Sequence, residues 1–231
     1  MGPKRVVILT GAGISQESGL HTFRDTGGVW SQVRLEDVAT PEAFVRDPAR
    51  VQAFYNARRA QLLSVMPNAA HTALARLDAE FDGELLVVTQ NVDDLHERAG
   101  SRRLLHMHGE LGRARCTDCA ATREWNSAIE PDTPCPSCRQ PRLRPDVVWF
   151  GEMPLHMEAI ERALMACDLF VSIGTSGTVY PAAGFVQMAS GHARTVELNL
   201  EPSDGWTQFD DSLAGPATKL VPAFVDELLA R

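Results

Sequence analysis

The stretch Val6-Val7-Ile8-Leu9-Thr10-Gly11-Ala12-Gly13-Ile14-Ser15 constrains this chain more than any other. Four consecutive apolar residues, three of them β-branched, predict a strand buried on both faces, as in a parallel sheet covered by helices. The Gly-Ala-Gly that follows strips side chains from a turn, which lets a ligand approach the backbone closely. A helix is expected next, and its free N–H groups and positive dipole end suit an anion such as a phosphate. The spacing departs from G-x-G-x-x-G, because the third glycine comes only at Gly19. Nor does an acidic residue end a second strand about 20 residues on. Taken alone, the turn fits a purely structural corner in an α/β domain as well.

At 231 residues the chain can bury a full core as one large domain or as a large domain with a small insert. Its net charge of -8 lacks the basic surplus of a nucleic-acid binder, so no nucleic-acid partner is expected. The apolar run behind Lys4 and Arg5 is too short for a signal peptide or a membrane span. No membrane association is expected, and a cytoplasmic location is. The alternation of elements predicts an α/β fold, a Rossmann-like parallel sheet carrying a small subdomain. The expected organisation is a single domain over 1–231 with Rossmann-like parts at 1–30, 81–110 and 145–231. A helical insert is expected at 31–80 and a four-cysteine zinc ribbon at 111–144.

Thr40-Pro41 and Asp47-Pro48 each set a capping side chain before a proline suited to the first helical position. Asn68 reads as a third cap, opening a helix over Ala69 to Phe81. Tyr55 and Arg58, three apart, share one helix face and can grip the same small anion. The same spacing also describes an ordinary half-exposed surface pair. A strand at Leu85 to Thr89 runs into Gln90-Asn91-Val92-Asp93, a polar cluster where open α/β sheets bind ligands. Helix capping by Asn91 or Asp93 explains it equally. A strand over Leu104 to His108 would point His106 and His108 to the same side, so geometry does not choose between them.

Cys116-x-x-Cys119 and Cys135-x-x-Cys138 are two pairs separated by 15 residues. That spacing predicts a zinc site, and four thiolates leave no open coordination position, so the metal is structural. Cys167 reads as a buried small hydrophobe. Further strands are expected at Val147 to Phe150, Leu169 to Ile173 (ending in Gly174-Thr175-Ser176) and Thr195 to Leu198 (ending in Asn199-Leu200-Glu201). Helices are expected at Leu155 to Ala166 and Pro222 to Ala230.

In one order the chain carries GAGIS-x-x-SG-x-x-x-FR, TQNVD-x-LH, MHG, the paired CxxC module, FGE, GTS, NLEPS and GPA. That order resembles the sirtuin family of NAD-dependent protein-lysine deacylases, from about Val6 to the C-terminus. Tyr55-x-x-Arg58 makes it similar to the branch that accepts negatively charged acyl groups.

The resemblance implies that Gly11, Ala12, Gly13 and Ile14 cradle the NAD pyrophosphate, with Arg24 over it and Phe23 and Trp30 in the same site. It implies that Gln90, Asn91, Val92 and Asp93 hold the nicotinamide end and its ribose. Gly174, Thr175, Ser176, Asn199, Leu200, Glu201 and Ala217 would line the adenosine side. His108, directly followed by Gly109, would be the catalytic base, and Tyr55 and Arg58 would meet the acyl carboxylate. Phe150, Gly151 and Glu152 would flank a cleft where an acyl-lysine protein segment pairs as an added strand. The expected reaction removes succinyl, malonyl and acetyl groups, giving nicotinamide, free lysine and O-acyl-ADP-ribose, with the protein acting as a monomer. Thr26, where that branch often has a small Ala, leaves acyl length open, and His21 is a second departure. A mono-ADP-ribosyltransferase or a non-catalytic NAD-binding module are the competing readings.

Overall fold

The structure is a computed structural model that describes residues 2–20 and 34–230. Its strands are β1 (Arg5–Thr10), β2 (Glu84–Thr89), β3 (Leu104–His106), β4 (Gly109–Cys116), β5 (Thr122–Glu124), β6 (Leu143–Val147), β7 (Leu169–Ile173), β8 (Arg194–Asn199) and β9 (Asp211–Ala214). Its helices are α1 (Gly13–Gln16), α2 (Pro41–Arg46), α3 (Pro48–Leu62), α4 (Ala69–Glu80), α5 (Leu95–Ala99), α6 (Met157–Ala166), α7 (Phe185–Ala189) and α8 (Ala217–Leu229).

The apolar run of β1 lies inside a six-stranded sheet of order β3-β2-β1-β7-β8-β9, and all its pairings are parallel. Val6 and Ile8 face Leu74 and Leu77 of α4 and Val221 and Val225 of α8. Val7 and Leu9 face the opposite way, toward Ile160 and Leu164 of α6 and Phe185 of α7. A strand buried on both faces has no room for alternation, which is why the run is continuously apolar. Because every strand runs the same way, all the loops after the strand C-termini gather along one edge.

A smaller antiparallel sheet, β5-β4-β6, carries the four cysteines. Helices α2 and α3 pack between the two sheets, burying Val51, Phe54 and Tyr55 with Leu111, Val147 and Trp149. Their starts match the capping signals. Thr40 Oγ1 accepts from Ala43 N at 3.1 Å, Asp47 Oδ1 from Arg50 N at 3.0 Å, and Asn68 Oδ1 from Ala70 N at 2.9 Å. Among the described residues no helix is long and apolar enough to cross a membrane.

Several expected elements differ from the structure. The helix after Gly-Ala-Gly is a single turn, four residues long. The apolar run at Val147 to Phe150 is not a strand of the parallel sheet. The ladder ends at Val147, and the strand before it, β6, pairs with β4 in the small sheet. Helix α6 starts at Met157 rather than Leu155. Helix α8 begins at Ala217, with Pro222 inside it, so the proline is no start signal here. Strand β8 is one residue longer at each end than expected. Strand β3 stops at His106, so His108 lies beyond it in the turn to β4.

Candidate active site

Four loops interlock at the C-terminal edge of the parallel sheet. Gly11 N donates to Ile173 O at 3.0 Å and Gly13 N to Gly174 O at 2.8 Å, joining the turn after β1 to the turn after β7. A Cβ on Gly11 would stand 2.8 Å from the Gly174 carbonyl oxygen, and one on Gly13 would stand 2.8 Å from Gly174 Cα. The two glycines are therefore demanded by one turn packing on the other. Gln90 Nε2 donates to Thr175 Oγ1 at 3.2 Å, and Asn199 Nδ2 to Thr175 O at 2.7 Å. The loops after β2, β7 and β8 thus form one continuous rim with Gly11, Ala12, Gly13 and Ile14, carrying Gln90 to Asp93, Gly174 to Ser176 and Asn199. Leu200 and Glu201, directly after Asn199, are exposed. Ala217 is buried in the core cluster that includes Ile14.

The two histidines separate on physical grounds. His106 Nδ1 donates to the Asn91 carbonyl at 3.0 Å, and its Nε2 lies 2.6 Å from Glu97 Oε1. Burial opposes charge on this ring, but the Glu97 carboxylate outweighs it and the net shift is upward. With both ring nitrogens engaged by Asn91 and Glu97, His106 has no free nitrogen to offer a substrate. His108 Nδ1 donates to the Gln90 carbonyl at 3.0 Å. Burial lowers its pKa, with the Gln90 bond acting weakly the other way, so the ring is neutral near pH 7. A neutral imidazole that donates from Nδ1 keeps its lone pair at Nε2, where it can take up a proton.

A buried polar network lies beneath this rim. Ser15 Oγ donates to Asp93 Oδ2 at 3.0 Å and accepts from Asn91 Nδ2 at 3.1 Å. Leu95 N donates to the other Asp93 oxygen at 3.2 Å. Burial raises the Asp93 pKa, and these donors pull it back only in part. His71 Nε2 reaches Ser15 Oγ at 3.4 Å. His96 Nε2 meets Thr10 Oγ1 at 3.0 Å, while that hydroxyl donates to Thr89 Oγ1 at 2.9 Å. Burial drives the His71 pKa down to about 4 and the His96 pKa down to about 3. Both rings are neutral.

On α3, Tyr55 is buried and Arg58 half-buried. Burial raises the Tyr55 pKa to about 12, so its phenol stays protonated. Burial lowers the pKa of Arg58, while Tyr55 and Asp93 favour its charge, so the guanidinium lies within electrostatic range of both. Trp149 Nε1 donates to the Tyr55 hydroxyl at 2.9 Å. Glu152 accepts from Trp149 N at 2.8 Å and takes two bonds from Arg144, at 2.7 and 2.9 Å. Phe150, half exposed at 52%, opens the segment that leaves this cluster, followed by an exposed Gly151.

The thiols of Cys116, Cys119, Cys135 and Cys138 all lie within 4.8 Å of one another. The Cys116–Cys138 and Cys119–Cys135 sulfur separations are 3.6 and 3.8 Å. Tetrahedral zinc with Zn–S bonds of about 2.3 Å requires sulfur–sulfur edges of about 3.8 Å, so the cluster fits the metal. Two matching knuckles build it. Ala120 N donates to Cys116 O, and Arg139 N to Cys135 O. Ala120 and Arg139 both take positive φ, at 57° and 67°. Backbone N–H groups of Cys138 and Ser137 pull the Cys135 thiol downward, toward the thiolate a metal needs.

The model of the Sir2 family matches residues 11–181. The chain is 58% identical to the NAD-dependent protein deacylase of Caulobacter vibrioides, over 100% of this chain and 99% of that protein. It is also 58% identical to the enzyme of that name from Shewanella oneidensis, over 98% of this chain and 95% of the relative. The chain belongs to the Sir2 family. A Sir2 homologue solved as its NAD complex superposes with a TM-score of 0.91 at 38% identity, over 98% of this chain and 90% of the other.

Three expected Sir2 site residues, Phe23, Arg24 and Trp30, lie outside the described residues, as do the departures His21 and Thr26. Reading from residues alone missed Thr10, His71, Thr89, His96, Arg144 and Trp149. The signal for Thr10 and Thr89 was present, since each ends an apolar strand with a polar side chain that the fold buries completely. Cys167 is buried at 2% exposure, as its apolar setting implied.

Proposed function

We propose that this Sir2-family chain is an NAD-dependent protein-lysine deacylase acting on succinyl-, malonyl- and acetyl-lysine in proteins. Its products are nicotinamide, deacylated lysine and O-acyl-ADP-ribose. The activity rests on full-length relatives at 58% identity that carry the deacylase name. The observation that carries the residue roles is His108, neutral and tethered through Nδ1 at the rim of the strand C-termini.

The rim sets side-chain amides and hydroxyls around a glycine-rich turn, an arrangement that suits a dinucleotide. Gly11 to Ile14 would hold the pyrophosphate, Gln90 to Asp93 the nicotinamide ribose, and Gly174 to Ser176 with Asn199 to Glu201 and Ala217 the adenosine. When bound, NAD supplies the departing nicotinamide and the ribose carbon that receives the acyl oxygen. His108 then acts as general base through Nε2. Ser15, by bonding Asp93 and Asn91 together, fixes the two side chains beside it in one orientation. Phe150 to Glu152 would flank the substrate strand. Zinc held by Cys116, Cys119, Cys135 and Cys138 would be structural, stabilising the small sheet against α3. The cross-links are Asn56 with Ile129 and Gln52 with the Leu143 carbonyl.

The acyl preference rests on Tyr55 and Arg58, a neutral phenol and a half-buried cation on one helix face. A carboxylate meeting both gains charge-assisted hydrogen bonds worth about 1.5–3 kcal/mol each. An acetyl group gains neither. The test is kcat/KM for matched succinyl and acetyl peptides in the wild type and in Arg58→Met. The substitution is expected to lower the succinyl-to-acetyl ratio by about 10- to 100-fold. An unchanged ratio overturns the anion-pocket reading.

A further inference from the structure

We propose that Trp149 is a positioning residue for acyl specificity, which sets Tyr55 as a hydrogen-bond donor toward the acyl carboxylate. This rests on the anion-pocket reading of Tyr55 and Arg58. An indole N–H can only donate, whereas a phenol can donate or accept. At 2.9 Å from Trp149 Nε1, the Tyr55 oxygen is therefore the acceptor, and its single proton is left for another partner. A carboxylate is acceptor-only, so it is the complement of a phenol held in that role. Accepting from the indole also polarises the O–H and strengthens what it gives.

Trp149 is itself held from three sides. Its backbone N–H donates to Glu152 Oε2 at 2.8 Å, and the Arg144 guanidinium lies over its ring at 3.3 Å from the centroid. The Phe44 ring centroid is 5.3 Å away on a tilted plane. Arg144 is fixed in turn by Glu152 and by the Val147 carbonyl at 2.7 Å. A locked indole gives the phenol one orientation instead of several. The same segment donates Val148 N–H to the His108 carbonyl at 2.8 Å, so the acyl-sensing residue and the proposed base hang on consecutive residues.

The experiment measures kcat and KM for succinyl and acetyl peptides in the zinc-bound protein. Wild type, Trp149→Phe, Tyr55→Phe, the double variant and Arg58→Met are compared. Trp149→Phe keeps an aromatic ring and deletes the N–H. The expected result is a succinyl-to-acetyl ratio about 10-fold lower, expressed mainly in the succinyl KM. In the Tyr55→Phe background the same change should lower the ratio no further, because Trp149 acts through that hydroxyl. An unchanged ratio in Trp149→Phe, or a full second loss in the double variant, overturns the proposal. Should Trp149→Phe fold poorly, 3-benzothienylalanine at position 149 replaces the N–H by sulfur within the same ring outline, and the same ratio decides. Arg58→Met separates the two levels. If it abolishes the succinyl preference while the position-149 variants retain it, only the Trp149 assignment falls. If it leaves the preference intact, the underlying anion pocket falls with it.

Discussion

Replacing His96 by Gln should flatten the acid side of this protein's stability curve. His96 and His71 are buried neutral rings whose pKa values lie at about 3 and about 4. In the unfolded chain each returns to about 6.5. A depressed folded pKa means stability that is fully present above pH 6.5 and is lost as pH falls, because the unfolded state binds protons the native state refuses. Linkage then gives a loss of about 2 kcal/mol per histidine between pH 7 and pH 5, about 4 kcal/mol for the pair. That is a large share of a domain's usual 5–15 kcal/mol. The structure shows why the native state refuses: His96 Nε2 is engaged with Thr10, and its Nδ1 is buried without a partner to receive a second N–H. Glutamine can keep the Thr10 contact without titrating. Urea unfolding followed by tryptophan fluorescence at pH 7, 6 and 5 reads both curves. His96→Gln should start below the wild type at pH 7 and lose about 2 kcal/mol less on the way to pH 5. Parallel curves would refute the reasoning.

His108→Ala should lower kcat by on the order of 10²–10⁴ with little change in NAD affinity by calorimetry, whereas His106→Ala should be far milder on turnover. The reverse order would transfer the base to His106. Metal analysis of the folded protein should give about one zinc per chain, and Cys135→Ser should reduce both zinc content and soluble yield, since structural zinc supplies folding free energy. Well-folded protein free of zinc would contradict that. Gly13→Ala should destabilise the protein by at least 1–3 kcal/mol in the same urea assay, on the order of an overpacked core, because its Cβ meets Gly174 backbone. A neutral result would mean the two turns are not packed as described.

Much of this arrangement is legible in the residues. A run apolar at every position has to be a strand covered on both sides, and β1 is one. Thr40, Asp47 and Asn68 announce three helix starts through side chains that act locally. The cysteine spacing announces its own cluster. What escaped depends on contacts distant in sequence. The equivalence of His106 and His108 dissolves only because the β2–β3 ladder ends at Thr89 opposite His106, a fact about register rather than composition. Val147 to Phe150 has a strand's apolarity, yet Trp149 spends it on packing with Phe44 and Tyr55 instead of on a ladder. His71 and His96 look like surface helix residues until the fold brings both against Ser15 and Thr10 from more than 50 positions away.

In the proposed reaction the acyl group leaves the lysine and ends on ADP-ribose. Purified protein incubated with NAD and a succinyl-lysine peptide, followed by mass spectrometry of peptide and small products, tests it directly. The expected result is a peptide lighter by one succinyl group, together with nicotinamide and O-succinyl-ADP-ribose. A peptide that keeps its succinyl group and gains ADP-ribose, or one left unchanged with NAD intact, would contradict it.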